Sequence, residues 1–468
     1  MGEDRRVALR EEVLLRLVPG EEERRQVREF TERLERELSE RLQESGLRAT
    51  AEVHGSTARD TWLSGEEDVD VFIVLDPEYG RNIIPKVLDI VRDYVGPGWV
   101  EAYAEHPYIQ AEVDGFDVEF VPCFRVDPGE GLISATDRTP LHTKYVRENL
   151  PPGGGDEVRL LKRFMMGVGV YGAEVKVGGF SGYLCELLIA HYRSFYNLLA
   201  AASAWEQREV VDVTGSTEPE ALKKKFGELL IVPDPVDPSR NAASAVSDNS
   251  MWTFAASARA FLKWPRETFF FPEKREADFN VVLDSLRSRG SNMMFVVVAD
   301  GDVDVPDVLW GQLYKAERTL SFLLRESGFS LIRSGVWSDE ASKHILLFEL
   351  ETAVLPELMK FKGPPVVLEE DSVKFLRAHI GDEYTVSGPW IEGQRWWVEK
   401  RRRDRNARFL LEHTLGGGGV GVGIPRRLSL KIARGFQVLL DDEISAHLSR
   451  DFARFLNSFL RGRPDWLG

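Results

Sequence analysis

The sequence predicts an α+β protein of several domains, and three observations support this fold class. In the first 150 residues, short β-branched and aliphatic runs alternate with helical patterns, which indicates a small mixed sheet. From Asp156 to Trp205, apolar residues recur at helical spacing. Beyond about Phe270, strand and helix patterns follow in the order β-α-β-β, which is typical of a ferredoxin-like or RRM-like body. We therefore expect domains at residues 1–150, 151–270 and 271–468, with a tail at about residues 356–424 in the last.

The elements of the first two domains follow from periodicity and from turn residues. The predicted elements are helices at Arg5–Leu17 and Glu21–Glu44, a strand from Leu47 to Val53, a strand at Val69–Leu75, a helix at Asn82–Val95, and strands at Trp99–Tyr103 and Phe116–Phe124. Pro151–Gly155 is predicted to be a linker, because the Lys-Ser or Lys-Thr of a phosphate loop is missing after its glycines. The Pro- and Asp-rich segment Val232–Arg240 is predicted to be an exposed loop.

In the last domain, the same patterns predict a strand, a helix and two further strands. These lie at Met294–Ala299, Trp310–Ser327, Phe329–Trp337 and Lys343–Thr352. The glycine-rich segment Gly417–Gly423 is predicted to be a flexible loop.

Composition places the chain among ordinary cytoplasmic proteins. Hydrophobic residues make up 43% and charged residues 29% of its 468 residues, and it has neither a membrane-length apolar run nor a signal-peptide pattern. Cys123 and Cys185 lack Cys-x-x-Cys spacing, so we expect buried thiols and no zinc site. The net charge of -16 argues against a nucleic-acid partner, but dense basic clusters in the C-terminal third argue for one.

Asp68 and Asp70 begin the strand at Val69–Leu75, and side chains two residues apart on a strand point to the same face. Two carboxylates this close repel each other unless a cation lies between them, and hard oxygen ligands suit magnesium or manganese. The Gly55-Ser56 turn and Arg59 could bind phosphate through N–H groups, a hydroxyl and a guanidinium. The alternative for a single Asp-x-Asp is a solvated loop entry.

The strand at Phe116–Phe124 carries Asp117 and Glu119 on one face. A third carboxylate from a neighbouring strand would complete a two-metal site that can activate a hydroxyl and hold a triphosphate. Asp117 and Glu119 are both candidates for this third ligand.

A basic run with paired tryptophans, Arg395–Arg403, lies near the end of the predicted tail. Tryptophans beside such a run can stack or pack while the charges follow a phosphate backbone, and Arg401, Arg402 and Arg403 are the candidate RNA contacts. The alternative is a solvated helix face.

These motifs resemble a known enzyme family. Gly-Ser-x-x-Arg-x-Thr-Trp-Leu from Gly55, then Asp-x-Asp, then an acidic strand ending in Val-Pro-Cys resembles the polymerase-beta-like nucleotidyltransferase superfamily. More narrowly, the chain is similar to the archaeal, class I CCA-adding enzymes, which are tRNA nucleotidyltransferases. The segments RTPLH, LLKRF, VYGAEVKVGGFSGYLCELL, PDPVDPSRNAA and HTLG follow in the family's order, so the resemblance covers nearly the whole chain.

The resemblance implies a role for each matching residue. Asp68, Asp70 and Glu119 would be the catalytic metal ligands, while Ser56, Arg59, Lys162 and Tyr171 would hold the triphosphate. The remaining matches are Thr139 and His142 near the sugar and phosphates, Arg240 at the base of the incoming nucleotide, and Glu105 and His106 near the primer end of tRNA. For His142 a structural helix-cap role stays open, and for Arg240 a solvated charge.

The implied function is template-independent addition of C, C and A to the 3′ end of tRNA from CTP and ATP, with Mg²⁺ as cofactor. The implied partner is tRNA, bound at its acceptor stem and elbow; a homodimer is compatible with the sequence, which leaves the oligomeric state open. Two alternatives remain: a poly(A) polymerase or other terminal transferase, and an RNA-binding protein without catalysis. The last rests on Glu119, which stands where the family has Asp.

Overall fold

The computed structural model describes residues 2–66, 68–103, 105–127, 131–273, 276–299, 301–302 and 304–467. The chain divides into two compact units, Met1–Glu273 with Pro464–Gly468, and Lys274–Arg463. The α+β fold class predicted from the sequence is confirmed. Within the described ranges, no helix is both long and apolar enough to cross a membrane.

The first unit combines strands near its N-terminus with a mainly helical region that follows. Its helices are α1 (Gly2–Leu17), α2 (Glu21–Glu44), α3 (Gly55–Arg59), α4 (Ile84–Val95), α5 (Arg138–Asn149), α6 (Gly154–Val168), α7 (Gly182–Tyr192), α8 (Phe195–Ala202), α9 (Pro219–Lys225) and α10 (Asp248–Lys263). Its strands are β1 (Ala49–Val53), β2 (Asp68–Leu75), β3 (Val100–Tyr103), β4 (Pro107–Val113), β5 (Phe116–Phe124), β6 (Glu209–Val210) and β7 (Leu230–Ile231).

The main sheet of the first unit has the strand order β1-β2-β5-β4-β3, in which β2 and β5 are parallel and the other neighbours antiparallel. Val69, Val71 and Ile73 alternate along β2 and pack with leucines of α2 and α4 in one core. Strand alternation therefore turns Asp68 and Asp70 toward the opposite face of the sheet. The carboxylates stand on the face that these two helices leave uncovered.

The helical region of the first unit surrounds a core rich in phenylalanine, to which α6, α7, α8 and α10 contribute. The predicted linker Pro151–Gly155 is only partly a linker, because α6 already begins at Gly154. A Cβ on Gly155 would lie 2.5 Å from the carbonyl oxygen of Asp60, so this glycine allows a close approach of two backbone segments. The long helical pattern after Phe180 breaks at Arg193, whose φ of 70° ends α7 before α8 starts.

The segment Val232–Arg240 differs from the predicted exposed loop. Val232 and Asp234 are buried, and Asn241 holds the segment by accepting from the N–H of Val232 and donating to the carbonyl of Leu230. These hydrogen bonds compensate the burial of polar groups, which composition alone does not reveal. Only the tip around Pro238 and Ser239 is exposed.

The second unit is a ferredoxin-like body with an inserted sheet. Its helices are α11 (Phe279–Ser288), α12 (Pro306–Glu326), α13 (Glu369–His379), α14 (Ala407–Leu415), α15 (Arg426–Arg434) and α16 (Arg450–Arg461). Its strands are β8 (Asn292–Ala299), β9 (Leu331–Ser338), β10 (Lys343–Leu350), β11 (Leu358–Pro365), β12 (Thr385–Glu392), β13 (Arg395–Arg401) and β14 (Phe436–Leu440).

The body of this unit is an antiparallel sheet of order β14-β8-β10-β9. The predicted β-α-β-β order is present as β8, α12, β9 and β10, and α15 with β14 completes a β-α-β-β-α-β unit. The region predicted as a tail lies between β10 and α15, where β11, β13 and β12 form a second antiparallel sheet with α13. It is an insertion within the body.

In the second unit, the structure rules out one alternative, the solvated helix face, and corrects one prediction, the flexible glycine-rich loop. The basic run from Arg395 lies on strand β13 and not on a helix, because it pairs on both sides with β11 and β12. The glycine-rich segment after α14 is a packed turn: Cβ atoms on Gly418 and Gly419 would lie 2.4 Å from the hydroxyl of Ser429 and 2.7 Å from Ile424. Both glycines have positive φ, so conformation and space require glycine there.

Candidate active site

A cavity of about 640 Å³ opens on the face of the first unit's sheet that lies opposite α2 and α4. It brings together most of the residues that the sequence selected for metal and triphosphate binding. Its lining includes Ser56, Arg59, Asp68, Asp70, Glu119, Lys162 and Tyr171. Asp117 also lines this cavity.

The carboxylates of the cavity come from the parallel strands β2 and β5. In this register Asp68 lies beside Asp117 and Asp70 beside Glu119, so all four carboxylates share one face. Burial, reinforced by Asp68, raises the pKa of Asp70 above its ordinary value, although Arg59 opposes the shift. Burial also raises the pKa of Glu119, with further contributions from the two aspartates. The site thus concentrates negative charge that a cation would neutralise.

Glu119 and Asp117 differ in environment. Glu119 is half-buried and accepts a hydrogen bond of 2.7 Å from the amide of Gln110 on β4. Asp117 is exposed. The hydrogen bond fixes one Glu119 oxygen and leaves the other for a ligand.

The predicted Gly55-Ser56 turn is the beginning of the short helix α3. Gly55 has φ +66°, and a Cβ at this position would lie 1.7 Å from Oδ2 of Asp70. The backbone N–H of His54 donates to the carbonyl of Asp70, and the hydroxyl of Thr57 donates to the carbonyl of Asp68. The start of α3 is therefore fastened to the strand that carries the aspartates.

Arg59 is held by Glu186 of α7, which the sequence analysis did not select. Its Nε lies 2.8 Å from a Glu186 oxygen, and its Nη1 is 3.3 Å from the hydroxyl of Thr143. Glu186 is fully buried and also accepts from the hydroxyl of Thr61. A buried carboxylate with two donors orients the arginine, and no local pattern in the leucine-rich helix α7 marks it.

Lys162 and Tyr171 approach the cavity from the helical region. Nζ of Lys162 donates to the carbonyl of Thr61 at 2.9 Å, and burial lowers the pKa of this lysine. Burial raises the pKa of Tyr171, which keeps its phenol neutral at physiological pH. Both side chains lie near Gly182, where a Cβ would be 3.2 Å from the Tyr171 hydroxyl and 3.7 Å from Nζ of Lys162.

His142 and Arg240 meet at a second buried carboxylate, Asp234, outside the lining of this cavity. Nε2 of His142 lies 2.9 Å and Nη1 of Arg240 2.8 Å from Oδ2 of Asp234. Asp234 was missed by the sequence analysis because its segment resembles a solvated loop. Thr139 is half-buried on α5, one turn before His142.

Glu105 and His106 also lie outside the lining of the cavity. Glu105 pairs with Arg81 at 2.5 Å and accepts from the backbone N–H of Ala135, which lowers its pKa. His106 is buried, and its Nε2 lies 3.1 Å from the hydroxyl of Thr136. These contacts fasten the start of β4 to the chain before α5.

In the second unit, the basic run has three different environments. Arg401 is exposed and pairs with Glu357 at 3.2 Å, whereas Arg403 is exposed and lies over the ring of Tyr384 at 4.7 Å. The guanidinium of Arg402 lies against Gly328, where a Cβ would be 2.6 Å from its Nη1. Arg401 and Arg403 are therefore the accessible charges of this run.

No three His, Cys, Asp or Glu side chains of the described ranges are already gathered tightly enough to hold a metal ion. Asp68, Asp70 and Glu119 line the same cavity without closing on one point. Cys123 and Cys185 are free and buried, as predicted.

Family models match three consecutive parts of the chain. They describe a nucleotidyltransferase domain over residues 32–142, the second domain of tRNA nucleotidyltransferase over residues 156–271, and the C-terminal domain of CCA-adding enzyme over residues 289–441.

Curated relatives extend over nearly the whole chain. The chain is 40% identical to the CCA-adding enzyme of Pyrobaculum neutrophilum over 86% of this chain and 92% of that protein. It is 35% identical to the CCA-adding enzyme of Methanothermobacter thermautotrophicus over 96% and 97%, and 33% identical to that of Halobacterium salinarum over 97% and 98%.

Solved structures are more distant. The Cid1 poly(U) polymerase with bound Mg 3'-dATP is 16% identical, with a TM-score of 0.44 over 56% of this chain and 96% of that one. E. coli MS115-1 CdnC with ATP is 18% identical, with a TM-score of 0.42 over 55% of this chain and 91% of that one. The curated relatives, with matching models for all three domains, decide the assignment: the chain belongs to the archaeal CCA-adding enzymes, a family of tRNA nucleotidyltransferases.

Proposed function

We propose that the cavity at the carboxylates of the β2–β5 pair is where this chain performs the reaction of its family. Members of this family add C, C and A to the 3′ end of tRNA, with CTP and ATP as donors. The observation that supports the location is the meeting of Asp68, Asp70 and Glu119 with Arg59 and Lys162 in one cavity. Carboxylates for metal ions and cations for phosphates are the two groups that nucleotidyl transfer needs.

The donor set of the cavity fits divalent metal ions, which the nucleotidyltransferase family uses. Its carboxylate oxygens are hard ligands suited to Mg²⁺. Burial raises the pKa of Asp70 and of Glu119, and repulsion among the carboxylates contributes to both shifts. Asp68 and Asp70 would hold the ions, with Glu119 as the third ligand. Bound there, the ions would lower the pKa of the attacking 3′-hydroxyl and neutralise charge on the triphosphate, as in other two-metal sites.

The protein's own residues supply position and charge. Arg59, oriented by Glu186, presents a guanidinium to the phosphates, and Lys162 adds an ammonium from helix α6. The Tyr171 phenol can donate a hydrogen bond, and Ser56 contributes a hydroxyl at the start of α3. Catalysis is then mainly positioning and electrostatic stabilisation of the leaving pyrophosphate.

The nucleotide base and the tRNA body engage other residues. We place the base of the incoming nucleotide at Arg240, with Thr139 and His142 toward its sugar and phosphates. Glu105 and His106 would contact the primer end, and Arg401 and Arg403 the tRNA backbone. The exposure of Arg401 and Arg403 supports their assignment to the tRNA backbone.

The test is incorporation of each labelled NTP, offered singly, on tRNAs lacking 0 to 3 terminal nucleotides. We expect CTP on tRNAs ending before C74 or C75, ATP on tRNA ending in CC, and no extension of complete tRNA. Asp68→Asn and Asp70→Asn should abolish incorporation while tRNA binding persists. Unlimited ATP addition to any 3′ end would instead identify a poly(A) polymerase, and binding without incorporation would identify an RNA-binding protein.

A further inference from the structure

Asp234 is the meeting point of three segments of the first unit. Its Oδ2 faces Nε2 of His142 on α5 at 2.9 Å and Nη1 of Arg240 at 2.8 Å. Its Oδ1 accepts from the hydroxyl of Tyr183 on α7 at 3.2 Å and from the N–H of Val236 at 3.1 Å. Four donors thus converge on one carboxylate, which saturates its capacity as an acceptor.

The environment of Asp234 keeps it charged. Its side chain has no exposed surface, and burial alone would raise its pKa. Hydrogen bonds from His142, Val236 and Arg240 overcome this effect and lower the pKa of Asp234 to about 2. A buried, fully bonded carboxylate at neutral pH is a rigid anchor for the groups that donate to it.

Only one nitrogen of the Arg240 guanidinium, Nη1, is hydrogen-bonded among the described residues. Nη1 is bound to Asp234, whereas its side chain is 35% exposed and the described residues offer its remaining N–H groups no other partner. An arginine anchored in this way directs its free donors in a fixed direction. A base edge that presents a ring-nitrogen lone pair, as cytosine N3 and adenine N1 do, can accept from it, while the N–H of uracil N3 or guanine N1 opposes it.

His142 is fixed in one tautomer. The hydrogen bond to Asp234 places a proton on Nε2, and burial lowers the pKa of His142, which favours the neutral ring. The ring stacks on Tyr183 with 3.9 Å between centroids, which fixes its plane. Nδ1 is then an acceptor, and no partner of Nδ1 occurs among the described residues. A ligand hydroxyl, such as that of a ribose, is the group that such an atom binds.

We propose that Asp234 is the positioning residue for nucleotide selection, because it anchors the Arg240 fork and sets the acceptor tautomer of His142 at the same time. The proposal rests on the proposed function, in which Arg240 and His142 contact the incoming nucleotide. Asp234 itself touches no substrate. Its loss should reduce discrimination among nucleotides and not merely the stability of the fold.

Asp234→Asn is the informative variant. An amide carries no charge and has one acceptor oxygen and one donor NH₂. With its oxygen at the Oδ2 position, the NH₂ faces the N–H of Val236; in the flipped orientation, it faces the donors of His142 and Arg240, so the native donors cannot all be satisfied. We expect kcat/KM for CTP to fall about 10–100-fold, the range typical of a lost orienting partner. The ratio of UTP to CTP incorporation should rise by about tenfold or more, since the loosened fork no longer penalises an opposing N–H.

Asp237→Asn is the matched control. Asp237 lies three residues further on the same segment, where it pairs with Arg138 at 2.8 Å and does not contact the Arg240 guanidinium. This variant should keep the wild-type UTP-to-CTP ratio. A double-mutant cycle adds a second criterion: in an Arg240→Ala background, Asp234→Asn should change the ratio less than about threefold.

The outcomes separate this inference from the function on which it rests. Wild-type enzyme that incorporates neither CTP nor ATP would refute the proposed function. If the wild type is active and folded Asp234→Asn keeps the wild-type UTP-to-CTP ratio, the role of Asp234 is refuted while the proposed function stands. The same holds if Asp237→Asn loses discrimination to the same extent as Asp234→Asn. If circular dichroism shows that Asp234→Asn is unfolded, Asp234→Glu replaces it, because this variant keeps the charge and moves the carboxylate by one methylene. An unaltered UTP-to-CTP ratio in Asp234→Glu would also overturn the proposal.

Discussion

At the residue scale, the candidate active site depends on Gly55, which has no side chain. Gly55 lies so close to Asp70 that a Cβ would stand 1.7 Å from its carboxylate oxygen, well inside van der Waals contact. The φ of +66° at Gly55 is also a conformation that other residues avoid. The glycine therefore allows the start of α3 to approach strand β2, and this approach fixes the position of Ser56 and Arg59 relative to Asp70.

We predict that Gly55→Ala lowers incorporation by at least about 100-fold, because the added methyl displaces Asp70 and a displaced reacting group costs about this much. The measurement is single-turnover incorporation of CTP, together with thermal unfolding. Gly46→Ala is the control: Gly46 has φ +74° but nothing within 4 Å of the added Cβ, so it tests the backbone strain alone. That control should lose about 1–2 kcal/mol of stability and keep its activity.

Glu119 and Asp117 provide a second prediction at this scale. Glu119 lies beside Asp70, is half-buried and is held by Gln110, whereas Asp117 is exposed beside Asp68. We expect Glu119→Gln to reduce turnover by more than the roughly 10–100-fold that is typical when a residue that only orients a metal ligand is lost, and Asp117→Asn to reduce turnover much less. Steady-state kinetics over a range of Mg²⁺ concentrations measure both.

Glu119→Asp refines this test, because glutamate reaches one methylene further than aspartate and Mg²⁺ tolerates little distortion. The aspartate variant should lose less activity than Glu119→Gln, and Mn²⁺ should partly restore it. A severe Asp117→Asn with a mild Glu119→Gln would move the third ligand two residues earlier in β5.

Alternation along β2 was enough to place Asp68 and Asp70 on one face, and alternation along β5 to place Asp117 and Glu119 on one face, since period two is a local property of a strand. That the two pairs share a face follows from the parallel register of β2 and β5. Glu186 and Asp234 were beyond such reasoning. Their partners Arg59 and His142 lie 127 and 92 residues away in sequence, so only the tertiary fold shows that each carboxylate is buried and bonded. Sequence patterns identify the groups at the cavity more readily than the groups that orient them.

At the element scale, strand β13 shows how the inserted sheet presents its charges. Lys400 pairs with Asp382 at 3.0 Å and Arg401 with Glu357, so part of the basic run is neutralised within the insertion. The Arg-Trp-Trp-Val-Glu-Lys pattern suits a helix or a strand equally well. Pairing with β11 and β12, which are distant in sequence, decides between them. For this reason, a solvated helix face remained an alternative when only the sequence was considered.

Neutralising Arg401 and Arg403 together should reduce the slope of log K against log salt for tRNA by up to about 1.8, because each phosphate that a cation neutralises contributes about 0.9 to that slope. Arg402→Gln alone should change the slope little, because its guanidinium lies against Gly328. Filter binding from low to moderate salt provides the slopes. Lys374 and Arg377 on α13 are a matched basic pair in the same insertion, and an equal effect of neutralising them would show that total charge matters and not the position of β13.

At the scale of the whole molecule, charge distribution matters more than net charge. The chain carries a net charge of -16 and yet belongs to a family that acts on tRNA. Screening limits the reach of exposed charges to about 8–10 Å at ordinary salt, so the net charge of the chain does not determine the field at an individual basic strand. The argument from total charge against a nucleic-acid partner was therefore wrong.

The residues that follow the second unit belong to the first unit. After the second unit closes at Arg463, residues from Pro464 belong again to the first, where the Trp466 ring lies 5.4 Å from that of Phe269 in the core that includes α6 and α10. Trp466 is 7% exposed, whereas its neighbour Leu467 is 42% exposed. The last residues thus stabilise a core formed by the first 273.

We predict that Trp466→Ala costs the first unit about 3–5 kcal/mol, the usual loss for a buried tryptophan, since the cavity it leaves borders a rigid aromatic core. Leu467→Ala is the control and should cost less than about 0.5 kcal/mol, as most surface substitutions do. Native-state hydrogen exchange resolved by peptide is the measurement. Faster exchange should appear in α6 and α10 and not in β8 or β10. Equal acceleration in both sets would mean that Trp466 supports the second unit as well, and unchanged exchange in α6 would show that its contact with Phe269 contributes nothing to that core.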